Sequence, residues 1–277
     1  MNTITSKMSK SIVLAFDVYG TLLSTQSIAD KLASHFGGDT AKTIATTWRK
    51  YQLEYTWRLN SMGQYEDFQK VTQCSLKHAL SESKVALDDK QTADMMKAYD
   101  TLSCFPDVER TMKSLQTAPD IKAVIFSNGT RSMVSGSITN SEGLSQHAKT
   151  FEDIVVVEEV KKYKPHPDVY AHLAKKIGKD TGDEQQMKQI WVVSGNPFDV
   201  VGARAAGMNA IWVDRVGDGW QDSLVEGEKG RPTEVVKSLD KVVTSVMSSH
   251  SELLTSQWRE MHGERDMEKT VPATSKV

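Results

Sequence analysis

Ile12-Val13-Leu14-Ala15-Phe16-Asp17-Val18-Tyr19-Gly20-Thr21-Leu22 is the stretch on which the reading of this chain turns. Five consecutive apolar residues before a glycine turn read as a buried parallel strand. The acid that follows stands at the carboxyl end of that strand, where open α/β sheets place their chemistry. Burying a carboxylate there is costly unless its neighbours compensate. As a purely structural residue, Asp17 would instead cap the following turn or helix.

Outward from this stretch, strand-like runs disappear between Ile28 and Cys104. Helical periodicity replaces them over Ala41–Leu59, Tyr65–Leu80 and Thr92–Leu102. Beyond Phe105-Pro106-Asp107 a helix begins at Val108, and strands and helices then alternate. Strands are expected at Ile121–Ser127, Ile154–Glu158, Ile190–Ser194 and Ala210–Asp214. Helices are expected through Ile138, at Pro167–Ile177 and at Phe198–Ala206. Alternation of this kind implies a doubly wound parallel sheet of the α/β class, with a helical cap inserted after the first strand. The expected organisation is a core over 11–26 and 106–247, a cap over 27–105 and a mobile tail over 248–277, Trp258 and Met261 being the tail groups able to dock.

The 277 residues carry a net charge of −2, which offers no field for nucleic acid or an anionic membrane. No apolar run approaches the ~18 residues of a spanning helix, so no membrane partner is expected. Two cysteines outside any CxxC pattern suit a reducing, cytoplasmic setting. The histidines form no zinc pattern.

Four strand ends offer polar side chains that a parallel sheet would bring to one rim. They are Asp17 with Thr21; Ser127 with Asn128 and Gly129; Lys164 with Pro165, read as a helix entry; and Ser194, Gly195 and Asn196 with Asp199. Taken alone, Arg49 reads as a solvated helix charge beside Glu54, Asn128 as a turn amide and Tyr170 as core packing.

The order and spacing of Asp17, Ser127, Lys164 and Asp199 resemble the haloacid dehalogenase superfamily over roughly Ser11 to Val246. Its phosphatases carry Asp-x-Asp and acids that hold magnesium. Here Tyr19 stands where their second Asp belongs and Asn196 where a metal-binding acid belongs, so no metal and no cofactor are expected. Asp17-Val18-Tyr19-Gly20-Thr21-Leu22 and Trp48-Arg49-Lys50-Tyr51-Gln52-Leu53-Glu54-Tyr55-Thr56 resemble the type II, or (S)-2-haloacid, dehalogenases. Ser127-Asn128-Gly129, Lys164-Pro165 with Tyr170, and Ser194, Asn196 and Asp199 fit the same branch. Gly195 and Phe198 replace that family's usual Ser and Trp.

The resemblance implies hydrolysis of short (S)-2-haloacids to (R)-2-hydroxy acids through an aspartyl ester on Asp17. A carboxylate is anionic at neutral pH and attacks carbon without a base, and a departing halide needs no proton. Arg49 and Asn128 would receive the halide. Ser127 and the backbone N–H groups of Val18 and Tyr19 would cradle the substrate carboxylate, with Tyr19 and Tyr170 lining the pocket. Lys164 would offset a repulsion between substrate and nucleophile of ~4 kcal/mol at 4 Å. Thr21, Ser194, Asn196 and Asp199 would hold the hydrolytic water. Pairing with Lys164 would lower the pKa of Asp199, which acts either as general base or as the group that orients Lys164. The alternatives are a magnesium-dependent phosphatase, or a hydrolase of fluoroacetate or of small-ring acids. The branch also implies a homodimer through apolar residues of the insert.

Overall fold

The computed structural model describes residues 12–249 and 251. The first strand, β1 (Ile12–Phe16), is buried along its length and lies at the centre of a six-stranded sheet. After it come four helices: α1 (Gln26–Phe36), α2 (Gly38–Ser61), α3 (Phe68–Glu82) and α4 (Asp89–Lys97), closed by a 3-10 turn at Ala98–Thr101. The chain then alternates through α5 (Val108–Gln116), β2 (Ile121–Ser127), α6 (Arg131–Asn140), β3 (Phe151–Val156), α7 (Pro167–Lys176), the short α8 (Glu184–Met187), β4 (Ile190–Ser194), α9 (Pro197–Ala205), β5 (Asn209–Val213) and β6 (Glu234–Val236). Residues 242–249 are helical.

The strand order is β3-β2-β1-β4-β5-β6, and every pairing is parallel. β1 therefore has β2 on one side and β4 on the other. That is the point where the winding reverses and strand ends splay to leave a crevice. Asp17, Ser127 and Ser194 all lie at the carboxyl ends of these three neighbouring strands.

The two linkers of the insert run side by side: Phe105 N–H donates to the Leu22 carbonyl at 3.1 Å and Ser24 N–H to the Ser103 carbonyl at 2.8 Å. α2 is the longest helix of the insert, with Ala41, Ile44, Trp48, Gln52 and Thr56 on its buried face. The Trp48 indole N–H donates to the Thr72 carbonyl of α3 at 2.8 Å, which fixes the α2–α3 register.

Several expected bounds shift for local reasons. α3 starts at Phe68 rather than Tyr65, because the Asp67 carboxylate caps it by accepting from Lys70 N–H. The helix expected over Thr92–Leu102 is α4 plus a separate 3-10 turn, with Asp88 and Gln91 forming a capping box at its start. β3 begins and ends earlier than the Ile154–Glu158 pattern implies, residues 157–159 being a 3-10 turn. Three elements carried no expectation: α1, the four-residue α8 and the three-residue edge strand β6. Trp258 and Met261, with the rest of the tail from residue 252 on, lie outside the described residues.

Candidate active site

Asp17 is buried just beyond β1, where the chain turns back as Thr21, Leu22 and Leu23 N–H all donate to the Val18 carbonyl. It caps no helix. Its carboxylate instead accepts three hydrogen bonds: from Thr21 Oγ1 at 2.9 Å and Asn196 Nδ2 at 2.8 Å on Oδ2, and from Lys164 Nζ at 3.3 Å on Oδ1. Thr21 Oγ1 in turn accepts from Gly195 N–H at 2.9 Å, tying the loop after β4 to the loop after β1.

Lys164 is 1% exposed, and its ammonium donates to Asp17, to Asp199 Oδ2 at 2.8 Å and to the Phe126 carbonyl at 2.8 Å. It also lies 3.9 Å from the Phe126 ring centroid. Its backbone N–H donates to Asn128 Oδ1 at 3.0 Å, which leaves the Asn128 amide a donor for other partners. Lys164 is not the helix-entry residue that Pro165 implied. α7 starts at Pro167, and His166 Nδ1 accepts from Asp168 N–H as its cap.

Asp199 is completely buried in the first turn of α9, its second carboxylate oxygen accepting from Tyr170 Oη at 3.0 Å. Its pKa is raised above the ordinary carboxylate value, not lowered as pairing with Lys164 alone would make it. Burial raises it most, and the charge of Asp17 adds to this, outweighing Lys164 and Tyr170. The Tyr170 phenol is pushed well above its ordinary range by burial and then by Asp199, so it stays a donor. Tyr170 thus sits behind Asp199, with its hydroxyl spent there rather than on a pocket wall. Gly202 makes the room: a Cβ at that position would lie 2.2 Å from Tyr170 Oη.

Arg49, on α2, reaches across the seam. It donates to Gln52 Oε1 at 2.7 Å, to the Tyr19 carbonyl at 3.3 Å and to Asn196 Oδ1 at 3.2 Å. All three acceptors are neutral, and among the described residues Arg49 forms no ion pair; Glu54 pairs with Arg58 instead. A half-buried guanidinium without a carboxylate is an anion receptor by charge and shape. Asn196 stands between the two opposite charges, giving its amide N–H to Asp17 and its oxygen to Arg49.

Ser127 Oγ accepts from Gly129 N–H at 3.0 Å, and Ser194 Oγ from Asn196 N–H at 3.1 Å, so both shape their loops. Tyr19 is buried, stacked on Phe68 and edge-on to Tyr99. Phe198 meets Trp57 of α2 edge to face, with centroids 5.6 Å apart, so the substituted aromatic still bridges insert and sheet. Among the described residues no group of three or more His, Cys, Asp and Glu side chains is placed to hold a metal ion.

Gln52 escaped the sequence reading. It is fully buried and joins Arg49 to Thr72, donating to Thr72 Oγ1 at 2.8 Å. Its position one helical turn after Arg49 was the available signal.

Fold and site together define a hydrolase of the α/β class, with charged side chains at the switch point of its sheet and an inserted helical unit reaching over them. The chain belongs to the haloacid dehalogenase-like hydrolase family, whose sequence model matches residues 13–207. It is 35% identical over 209 residues to the (S)-2-haloacid dehalogenase of Xanthobacter autotrophicus, covering 76% of each chain. It is also 32% identical over 212 residues to haloacetate dehalogenase H-2 of Moraxella sp. (strain B), covering 76% of this chain and 88% of the relative. Among solved structures, the L-2-haloacid dehalogenase from Xanthobacter autotrophicus with chloropropionic acid covalently bound superposes with a TM-score of 0.74. The identity is 28%, and the match covers 86% of this chain and 98% of the other.

Proposed function

We propose that this protein hydrolyses short (S)-2-haloacids to (R)-2-hydroxy acids, with the insert acting as a cap over 27–105 on a core over 11–26 and 106–247. The observation that carries the reading is the juxtaposition at Asn196. A fixed carboxylate lies on one side of its amide and a guanidinium without an acidic partner on the other. Displacement at carbon needs an anionic nucleophile and a receptor for the leaving anion at opposite ends of the breaking bond.

Asp17 attacks carbon 2 from the side opposite the halogen. The carbon–halogen bond breaks as the ester bond forms, and the halide leaves with the bonding pair toward Arg49 and the Asn128 amide. Inversion follows from back-side attack. The backbone N–H groups of Val18 and Tyr19, with Ser127, cradle the substrate carboxylate. Water then adds to the Asp17 carbonyl carbon; as the ester bond breaks, one water proton passes to the departing alkoxide oxygen and the other to solvent, so that the hydroxy acid leaves and the carboxylate is regenerated.

Both oxygens of Asp199 are committed, one to Lys164 and one to Tyr170. This supports Asp199 as the group that orients Lys164. Thr21 and Asn196 hold the Asp17 carboxyl as the ester forms and breaks, Ser194 shaping their loop. The buried set of two carboxylates and one ammonium is short of positive charge. Arg49 therefore matters to the approach of an anionic substrate as well as to departure of the halide.

A second copy of the chain is the partner proposed for the insert, where exposed Trp57 and Met62 flank a cavity of about 280 Å³ lined by Tyr55, Leu59 and Val71 and rimmed by Arg58, Glu66 and Lys70. Light scattering on the eluting protein should give twice the chain mass. Both cysteines are free thiols, in keeping with a reducing, cytoplasmic setting.

Halide release from separate (S)- and (R)-2-chloropropionate, with EDTA present, tests the function. Release from the (S) acid alone, at a rate EDTA does not change, is expected. Release from neither would remove the dehalogenase reading while leaving the family untouched.

A further inference from the structure

The seam between insert and core carries a contact that the chemistry above does not use. Asn60, in the last turn of α2, meets the backbone of residue 163 on both its edges. Asn60 Nδ2 donates to the Tyr163 carbonyl at 2.7 Å, and Tyr163 N–H donates to Asn60 Oδ1 at 2.9 Å. A primary amide carries the same donor and acceptor pair as a peptide, so one side chain here does the work of a strand pairing. Tyr163 is bound to the insert again through its hydroxyl, which donates to the Glu66 carbonyl at 2.6 Å. Its ring lies against Tyr65 and Phe68, at centroid distances of 5.4 and 6.1 Å. All these partners fall between residues 60 and 68, yet Tyr163 belongs to the loop that follows β3.

The residue after Tyr163 is Lys164. Its ammonium is aimed at Asp17 and Asp199, and its backbone N–H is held from the core side by Asn128. One peptide unit therefore separates the group gripped by the insert from the group that neutralises the nucleophile. Tyr163 is fully buried, so its backbone groups have no water to turn to if the amide is removed.

We propose that Asn60 is a positioning residue: it seats Tyr163 in the insert and thereby sets the Lys164 ammonium between Asp17 and Asp199. Because both hydrogen bonds cross the seam, docking of the insert and placement of the ammonium are one event. The catalytic consequence rests on the dehalogenase reading; the mechanical linkage does not.

Two variants and two readouts test it. Asn60→Ala removes both bonds. It should lower kcat on (S)-2-chloropropionate by about tenfold while KM stays within about twofold, since Asn60 touches no substrate. Hydrogen exchange of the peptide over 160–166 should quicken in this variant, and exchange of β1 and β4 should not.

Asn60→Asp keeps shape and volume but sets a carboxylate against the Tyr163 carbonyl. Its kcat relative to wild type should be low at neutral pH. It should recover as pH falls into the carboxyl range, where the new carboxyl regains a proton to donate. Asp67, Glu158 and Tyr65 act on the Tyr163 phenol, and Asp17 and Asp199 on the Lys164 ammonium, in both proteins, so the ratio to wild type at each pH is the quantity read. A role in packing alone would leave that ratio flat.

An unchanged kcat, a rise confined to KM, or a ratio independent of pH would each overturn the proposal. If Asn60→Ala fails to fold by circular dichroism, the isosteric Asn60→Asp decides. Should wild type release no halide, the dehalogenase reading falls, and the exchange measurement still decides whether Asn60 holds the 160–166 segment.

Discussion

Asp17 accepts from a hydroxyl, an amide and an ammonium at once, which fixes the rotation of its carboxylate before any substrate arrives. Asp17→Asn should abolish halide release while leaving the far-ultraviolet circular dichroism close to wild type, because Lys164 keeps Asp199 as its charged partner. Arg49 is a sharper test of the anion receptor. Its planar fork serves three oxygens at once, which the single ammonium of lysine does not match. Arg49→Lys should cost about 10²-fold in kcat, the scale of losing one well-aimed donor to a developing anion. An Arg49→Lys rate near wild type would mean that the halide is received elsewhere. Asp17 was legible in the sequence from its place at a strand end, whereas Arg49 taken alone read as a solvated helix charge and stood out only through the resemblance of residues 48–56 to a known family. Gln52, which steadies Arg49, was not legible, since its place one turn after Arg49 marks a helix neighbour but not the buried Thr72 that it also holds.

At the scale of elements, α9 brings Asn196 and Asp199 to the site from its first turn, and its approach to α7 depends on Gly202. Gly202→Ala would drive a methyl into the Tyr170 hydroxyl and loosen its bond to Asp199. A loss of about 1–3 kcal/mol is expected from urea unfolding, together with reduced turnover. Gly195 allows a similar approach: a Cβ there would lie 2.6 Å from the Gly20 carbonyl. Strands β2 and β4 run as the sequence implied, because β4 is buried along its length and β2 is buried from Ala123 on, with only Lys122 reaching solvent. The elements that escaped were those with weak local signals. β6 is a three-residue edge with Val235 half exposed, and α1 starts at Gln26 with no side-chain hydrogen bond from Thr25 at its cap. The start of β3 was misplaced because an edge strand is only partly buried, so its apolar pattern thins at Phe151 and Glu152.

Across the whole molecule, Asn60 meets Tyr163 over 103 positions, and Arg215 meets Asp107 over 108 and Thr21 over 194. Arg215 donates to Asp107 at 2.8 and 2.9 Å and to the Thr21 carbonyl at 2.8 Å. It thus binds the returning linker to the loop of the nucleophile. Nothing local in the sequence announces such a pair, which is why the strand ends could be read and the Arg215 and Asn60 ties could not. Burial alone would raise the pKa of Asp107, but the Arg215 hydrogen bonds and the Leu239 N–H outweigh it and hold the carboxyl below the usual range. The unfolded chain then binds a proton that the folded one does not. This contribution to stability is full above the ordinary Asp value near ~3.9 and is lost as pH falls through the lowered folded value. Asp107→Asn should therefore cost about 3 kcal/mol at neutral pH, with the difference from wild type shrinking in acid, as read from urea unfolding at several pH values. Asp199 works with the opposite sign. Its raised pKa means that ionisation there costs stability increasingly as pH rises from the unfolded value to the folded one.

The covalent role of Asp17 is the claim on which the rest depends, and isotope labelling tests it most directly. Enzyme in excess over (S)-2-chloropropionate should be carried through one turnover in H₂¹⁸O, and the peptide containing Asp17 and the hydroxy acid both weighed. The ester route predicts ¹⁸O in Asp17 and none in the product, because water adds to the Asp17 carbonyl carbon. Label in the product with Asp17 unlabelled would mean that water attacks the substrate itself, and would contradict the account.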